Sequence, residues 1–190
     1  MIEIKRATKE TEIFLKLDAD GSGKFDICTG VGFFDHMLES FSKHSLFDLF
    51  ISCKGDTHVD DHHTVEDVGI VLGQAIKKAI YPIKDIERFS NATIVMDEAA
   101  VSCAMDLSNR AFLVYEIECD GKVGTFDVEL VEEFFRALTF NASLSVHLIK
   151  ERGKNRHHII EAAFKAYAVA LRRALSSNSK VGVPSTKGLL

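Results

Sequence analysis

The feature that most constrains this chain is a repeat. HHTVEDVGIVLGQAIKKAI begins at His62, HHIIEAAFKAYAVALRRAL begins at His157, and both open with His-His-x-x-Glu. Each stretch carries apolar residues at helical spacing, so each predicts an amphipathic helix that starts on two imidazoles and a carboxylate. Internal duplication fixes architecture before any other consideration. Two similar halves are therefore expected, residues 1–90 and 91–190. Each is a β-sheet packed against two helices, giving an α+β fold of the two-layer sandwich kind.

The residues between the repeats support that division. From Glu12 to Leu17, apolar Ile13, Leu15 and Leu17 alternate with their neighbours; Gly21 to Gly23 reads as a turn and Phe25 to Thr29 as a returning strand, which predicts a hairpin. Phe33 to Lys43 has helical spacing, Leu46 to Cys53 alternates, and His63 to Ile80 is a long amphipathic run. After a loop around Pro82 to Asn91, strands are expected over Ala92 to Met96, Val101 to Leu107 and Phe112 to Glu118. A helix over Val128 to Asn141, a strand over Leu144 to Ile149 and a helix from His157 to Leu175 follow. The second half repeats the first in kind and order.

Composition narrows the function. The 190 residues are 46% hydrophobic, enough for a substantial core, and carry a formal net charge of -5. Without a basic excess the chain is unsuited to neutralising a nucleic-acid backbone, so any phosphate it binds is expected to be small. Cys28, Cys53, Cys103 and Cys119 are widely spaced with no Cys-x-x-Cys pair, and MIEIKRATKE lacks the apolar stretch of a signal peptide. A reduced, cytoplasmic setting is expected. No apolar run approaches the roughly 18 residues of a membrane span.

The histidine doublets point to metal. On a helix, residues four apart project about 40° from one another and residues three apart about 60°, so Glu66 can share a face with His62 or His63. Adjacent histidines diverge by about 100°, so a doublet serves two ions better than it grips one. Two doublets then suggest two ions, each taking one histidine from each motif and either Glu66 or Glu161. His36 in GFFDHML and His147 in SVHLIK, each upstream of one doublet, are the candidates to complete them. Imidazole and carboxylate donors suit zinc, iron, nickel and manganese, and the residues alone do not choose. Asp60 and Asp61 stand where they can cap the helix or steady a ligand histidine from behind.

Beyond these patterns, the chain resembles imidazoleglycerol-phosphate dehydratases over nearly its whole length. The resemblance rests on KET at 9–11, TGVGFFDHML at 29–38, GDTHVDDHHTVED at 55–67, MDEA at 96–99, GKNRHHIIEAAFKA at 153–166 and PSTKG at 184–188. It departs from the usual pattern at Ser40, Ser45, Val95, Asn109, Ala111 and the Pro82 loop. The resemblance implies two Mn2+ ions, one held by His36, His63, Glu66 and His158, the other by His62, His147, His157 and Glu161. It implies that Glu10 is the catalytic acid or base. It assigns the phosphate or the rest of the substrate, imidazole glycerol phosphate, to His44, Arg88, Arg110, Lys165, Ser185, Thr186 and Lys187. It also implies a homo-oligomer of 24 subunits with active sites shared between neighbours.

The implied reaction removes water from the substrate to give imidazole acetol phosphate, in histidine biosynthesis. A carbon-bound proton must leave with no neighbouring carbonyl to take the charge, so the imidazole ring has to absorb it. As a hypothesis, the ring binds as a metal-bound imidazolate and the hydroxyl leaves through a diazafulvene-like intermediate while Glu10 moves a proton. Two rivals are a metal-storage or metal-sensing module, which needs no phosphate pocket, and a dinuclear phosphate-ester hydrolase, which would use more aspartates and fewer imidazoles.

Overall fold

The computed structural model describes residues 1–186. In chain order the first half runs β1 (Ile2–Ala7), β2 (Thr11–Asp18), β3 (Phe25–Cys28), α1 (Gly32–Ser45), β4 (Asp48–Gly55) and α2 (His62–Ile80). The second runs β5 (Phe89–Met96), β6 (Ala99–Asp106), β7 (Phe112–Glu116), a short β8 (Lys122–Val123) and β9 (Phe126–Asp127) hairpin, α3 (Leu130–Ala142), β10 (Ser145–Arg152) and α4 (Arg156–Ala174). The sheets have matching orders, β1-β2-β4-β3 and β5-β6-β10-β7. In each, the last-named strand is parallel to its neighbour and the other pairings are antiparallel. The parallel pairs, β3 with β4 and β7 with β10, need a crossover, and α1 and α3 supply it. The duplication seen in the sequence is thus a duplication of topology.

The predicted hairpin between β2 and β3 does not form. β3 lies parallel to β4, with Ile27 opposite Ile51, and β4 takes the place beside β2, with Leu15 opposite Ile51. The cause is at Asp48, whose carboxylate accepts hydrogen bonds from the Ser22 and Lys24 amides at 2.7 and 2.8 Å. The glycine turn folds over the start of β4 instead of closing on β2; a Cβ at Gly21 would meet the Asp48 amide nitrogen at 2.4 Å. The hairpin partner of β2 is β1, which sequence reading missed. Ile4 of β1 is buried, but Arg6, two residues on, breaks the apolar alternation. Its guanidinium pairs with the buried Asp67 of α2 at 2.9 Å.

The helices of the two halves meet between the sheets. α2 packs on β1 and β2 and against α3, while α4 packs on β5 and β6 and against α1. Gly69 and Gly73 let α2 and α3 approach: a Cβ at Gly73 would lie 2.5 Å from the Leu138 carbonyl oxygen. An aromatic cluster ties the other helices together. Phe34 of α1 contacts Phe134 of α3 edge-on at 5.2 Å, Phe134 stacks on Phe164 of α4 at 5.1 Å, and Phe135 stacks on Tyr167 at 5.3 Å. One continuous apolar core results, reaching from Leu15 in the first sheet to Val101 in the second. Among the described residues no helix is long and apolar enough to cross a membrane.

Candidate metal and phosphate centre

Along one face of α4, His157, Glu161 and Lys165 succeed one another at four-residue intervals, one helical turn apart. His157 Nε2 lies 3.0 Å from Glu161 Oε2, and Lys165 Nζ lies 2.6 Å from Glu161 Oε1. The neighbouring α1 brings His36 Nε2 to 3.6 Å from the same Oε2. The ligand atoms of His36, His157 and Glu161 therefore fall within 4.8 Å of one another, the one such group of three among the described residues. Glu161 is 7% exposed. Burial alone would raise its pKa, but the Lys165 and His157 hydrogen bonds and the charges of Lys165 and His36 hold it below the ordinary carboxylate value. Two imidazoles and an ionised carboxylate are a donor set that fits a divalent transition metal.

The opening of α2 is more exposed. His62 Nε2 is 4.0 Å from a Glu66 oxygen whose side chain is 45% exposed. The His62 amide donates to Asp60 Oδ1 at 2.8 Å, so Asp60 caps the helix, whereas Asp61 makes no side-chain cap bond. His63 has its Nδ1 3.0 Å from Asp56 Oδ2 and its Nε2 3.7 Å from Glu10 Oε1. Glu10 stands on the β1–β2 turn, where its amide donates to Thr8 Oγ1. Thr11 Oγ1 in turn donates to Asp67 Oδ2 at 2.5 Å, fastening the turn to α2.

Both second histidines of the doublets sit on carboxylates. His158 Nδ1 lies 2.8 Å from Glu98 Oε2, and His63 Nδ1 lies 3.0 Å from Asp56 Oδ2. These hydrogen bonds raise the pKa of each imidazole. Glu98 is correspondingly pulled down to about 2 by His158 and by the Asn155 and Lys154 amides. Neither Asp56 nor Glu98 was singled out from the sequence, although each lies inside a quoted block.

The eight expected ligands are not gathered in one place within the chain. His36 stands with His157 and Glu161, not with His63, Glu66 and His158. His147 is exposed on β10 between buried Val146 and Leu148, so it faces away from the helix layer, its ring 6.5 Å from that of Phe112.

The expected phosphate contacts fall in two places. Two turns beyond His36 on α1, His44 faces α4, and its pKa is lowered by burial first and then by the charges of Lys165 and Arg172, with Glu161 opposing. From His36 to His44 is about 12 Å along the helix. Where α1 and α4 pack together, the side chains therefore pass from metal-type donors at one end to cations farther along. Arg172, one heptad after Lys165, was missed by sequence reasoning.

Arg88 lies elsewhere. It pairs with Asp106, the last residue of β6, through Nε and Nη2 at 2.7 and 3.1 Å, and Nη1 donates to the Pro184 carbonyl at 2.5 Å. Backbone bonds between Asp85 and Gly182 and between Glu87 and Ser176 knit the C-terminal segment to this loop. Ser185 and Thr186 follow directly; Lys187 lies outside the described residues. Arg110 is exposed on the loop after β6, where its carbonyl accepts from the Ser108 and Ser145 hydroxyls, each at 2.9 Å.

Comparison with known proteins gives a consistent result. Residues 29–171 match the family model of imidazoleglycerol-phosphate dehydratase. The imidazoleglycerol-phosphate dehydratases of Aliarcobacter butzleri and of Sulfurovum sp. are each 67% identical over 190 residues, covering 100% of both chains. The crystal structure of the Staphylococcus aureus enzyme superposes with a TM-score of 0.84 at 42% identity, over 93% of this chain and 98% of that one. The Pyrococcus furiosus enzyme, solved in complex with (S)-C348, gives 0.84 at 35% identity, over 98% and 100%.

Proposed function

The chain belongs to the imidazoleglycerol-phosphate dehydratase family, hydro-lyases of histidine biosynthesis, and we propose that it carries out its dehydration as a dinuclear metal enzyme. The observation that carries this reading is the His36, His157 and Glu161 group, continued along the packed faces of α4 and α1 by Lys165 and His44. An imidazole ring at the donor end would place the phosphate of a three-carbon side chain toward the cations. Lys165 is the group common to both ends, since it touches Glu161 and acts on His44.

The ions are proposed to be two Mn2+, with His36, His63, Glu66 and His158 on one and His62, His147, His157 and Glu161 on the other. When bound, they would supply Lewis acidity to the ring nitrogens of the substrate. The chain's own residues do the rest. Lys165, with Arg88, Arg110 and the Ser185–Lys187 segment, would offer charge-assisted donors to phosphate oxygens. Glu10, 52% exposed and 3.7 Å from His63, is placed to move a proton beside a ligand imidazole. Loss of hydroxide from the ring-adjacent carbon together with the ring N–H proton would release water and leave a diazafulvene-like species. Transfer of the proton from the next carbon to a ring nitrogen then gives an enol, which takes a proton at the ring-adjacent carbon and releases its O–H proton to become the acetol phosphate.

One chain collects three of the eight proposed ligands at a single place, and His147 faces outward. Both facts favour sites completed between copies in a homo-oligomer, for which the resemblance implies 24 subunits. Metal-stripped protein titrated with Mn2+ in the presence of imidazole glycerol phosphate tests the whole reading. Acetol product and assembled mass should return together as the ions are restored. Glu10→Gln should regain both metal and mass while its turnover stays about 10²- to 10⁴-fold lower. Full turnover in the metal-free monomer would overturn the proposal, and failure of Glu10→Gln to take up metal would overturn the role given to Glu10.

A further inference from the structure

A histidine that ligates an ion through one ring nitrogen usually donates its other N–H to a carboxylate, which fixes tautomer and ring orientation. Asp56 meets His63 in this way from the loop that leads into α2. Glu98 reaches His158 from another part of the fold, the turn between β5 and β6.

The two oxygens of Glu98 have separate tasks. Oε1 accepts the Lys154 and Asn155 amides at 3.2 and 2.7 Å, at the start of α4, and Oε2 faces His158 Nδ1 at 2.8 Å. The backbone amides can only donate, so Oε1 is committed as an acceptor and the carboxylate cannot turn. Oε2 is then presented to Nδ1 in one orientation. His158 Nε2 is left on the outer side of the ring, 3.9 Å from Asp97 Oδ2.

We propose that Glu98 is a positioning residue for the metal centre: it holds His158 with its proton on Nδ1 and presents Nε2 to a divalent transition-metal ion. The inference rests on the reading of His158 as a ligand. Because Oε1 must still accept two amides, Glu98→Gln places its NH2 group against Nδ1. That donor makes Nδ1 an acceptor and moves the ring proton to Nε2, the atom the ion requires. The substitution preserves shape and the loop bonds, removes the carboxylate charge beside the ring and reverses the tautomer preference.

The test is equilibrium dialysis of Mn2+ against the metal-stripped full-length protein and its variants. Glu98→Gln should weaken one class of site by about 10- to 100-fold, His158→Ala should remove the same class, and the double variant should do no more than His158→Ala. Asn155→Ala, which deletes the side-chain cap on the His158 amide and leaves the Glu98 carboxylate in place, should bind within about twofold of the parent. If Glu98→Gln binds as the parent does while His158→Ala loses a class, Glu98 is only a loop anchor and the inference fails. If Asn155→Ala reproduces the Glu98→Gln loss, the effect is loosening of the helix start, and the inference again fails. If His158→Ala keeps both classes, the ligand reading itself is wrong.

Discussion

The openings of α2 and α4 share His-His-x-x-Glu but are built into different surroundings. At α4 the glutamate is buried, bonded to Lys165 and faced by His36 from α1. At α2 the equivalent Glu66 is half exposed, the position equivalent to Lys165 is Ile70, and the partner helix α3 contains no histidine. Duplication has kept the donors and diverged in what supports them. One end gathers three donors within the chain; the other leaves its donors more exposed.

Paired substitutions at the two glutamates give the sharpest contrast. Glu66→Gln and Glu161→Gln should each cut turnover by more than the roughly 100-fold seen when groups behind a ligand are lost. In metal-free protein they should part company. Glu161→Gln takes the anionic partner from Lys165 and should cost about 1–3 kcal/mol, whereas the exposed Glu66→Gln should stay within about 0.5 kcal/mol. Melting of both variants in chelator checks this, and equal losses would break the contrast.

The helix contacts differ in the same spirit. Gly73 sits where α4 has Ala168, and the α2–α3 approach depends on that missing methyl. Gly73→Ala gains about 1 kcal/mol of helix propensity, but its Cβ would press on the Leu138 carbonyl and on Asn141. The strain of overpacking, about 1–3 kcal/mol, should prevail, lowering the melting temperature by a few degrees. A variant that melts higher would show that α2 and α3 can slide apart at no cost.

Much of this asymmetry was hidden in the sequence. The four helices were legible because Phe34, Met37, Leu38 and Phe41, and their counterparts elsewhere, repeat at a local period that packing reinforces. The doublets were legible for the same reason, since i and i+4 spacing fixes His157 beside Glu161 whatever the rest of the chain does. β1 was not, because Arg6 occupies a core-side position that only a distant Asp67 makes tolerable. The β2–β3 hairpin was a misreading of a glycine turn whose course is set by Asp48, more than 20 residues away. The meeting of His36 with His157, the carboxylates Asp56 and Glu98 behind their imidazoles, and Arg172 beside His44 all depend on how separate elements pack. No local spacing encodes such meetings.

The smallest effect isolates the cation end of the α1–α4 contact; in the α2–α3 pair Lys77 stands at the position of Arg172 but donates to the Ser143 hydroxyl, and α3 carries no histidine. Burial does most to lower the pKa of His44, Lys165 and Arg172 from α4 and Lys43 from its own helix lower it further, and Glu161 is the opposing charge. In the unfolded chain it should titrate near the ordinary value of about 6.5. Between that value and its lower folded value the unfolded state binds more protons, so stability falls as pH drops through this window and changes no further below it. His44→Asn should flatten that limb of the melting-temperature profile by a fraction of a proton. Inorganic phosphate should flatten it in the parent as well, because an anion among Lys165, Arg172 and His44 favours the protonated ring. A profile that phosphate leaves unchanged, with His44→Asn still flattening it, would separate the histidine's burial from any anion site and leave the two helix pairs more alike than their charges imply.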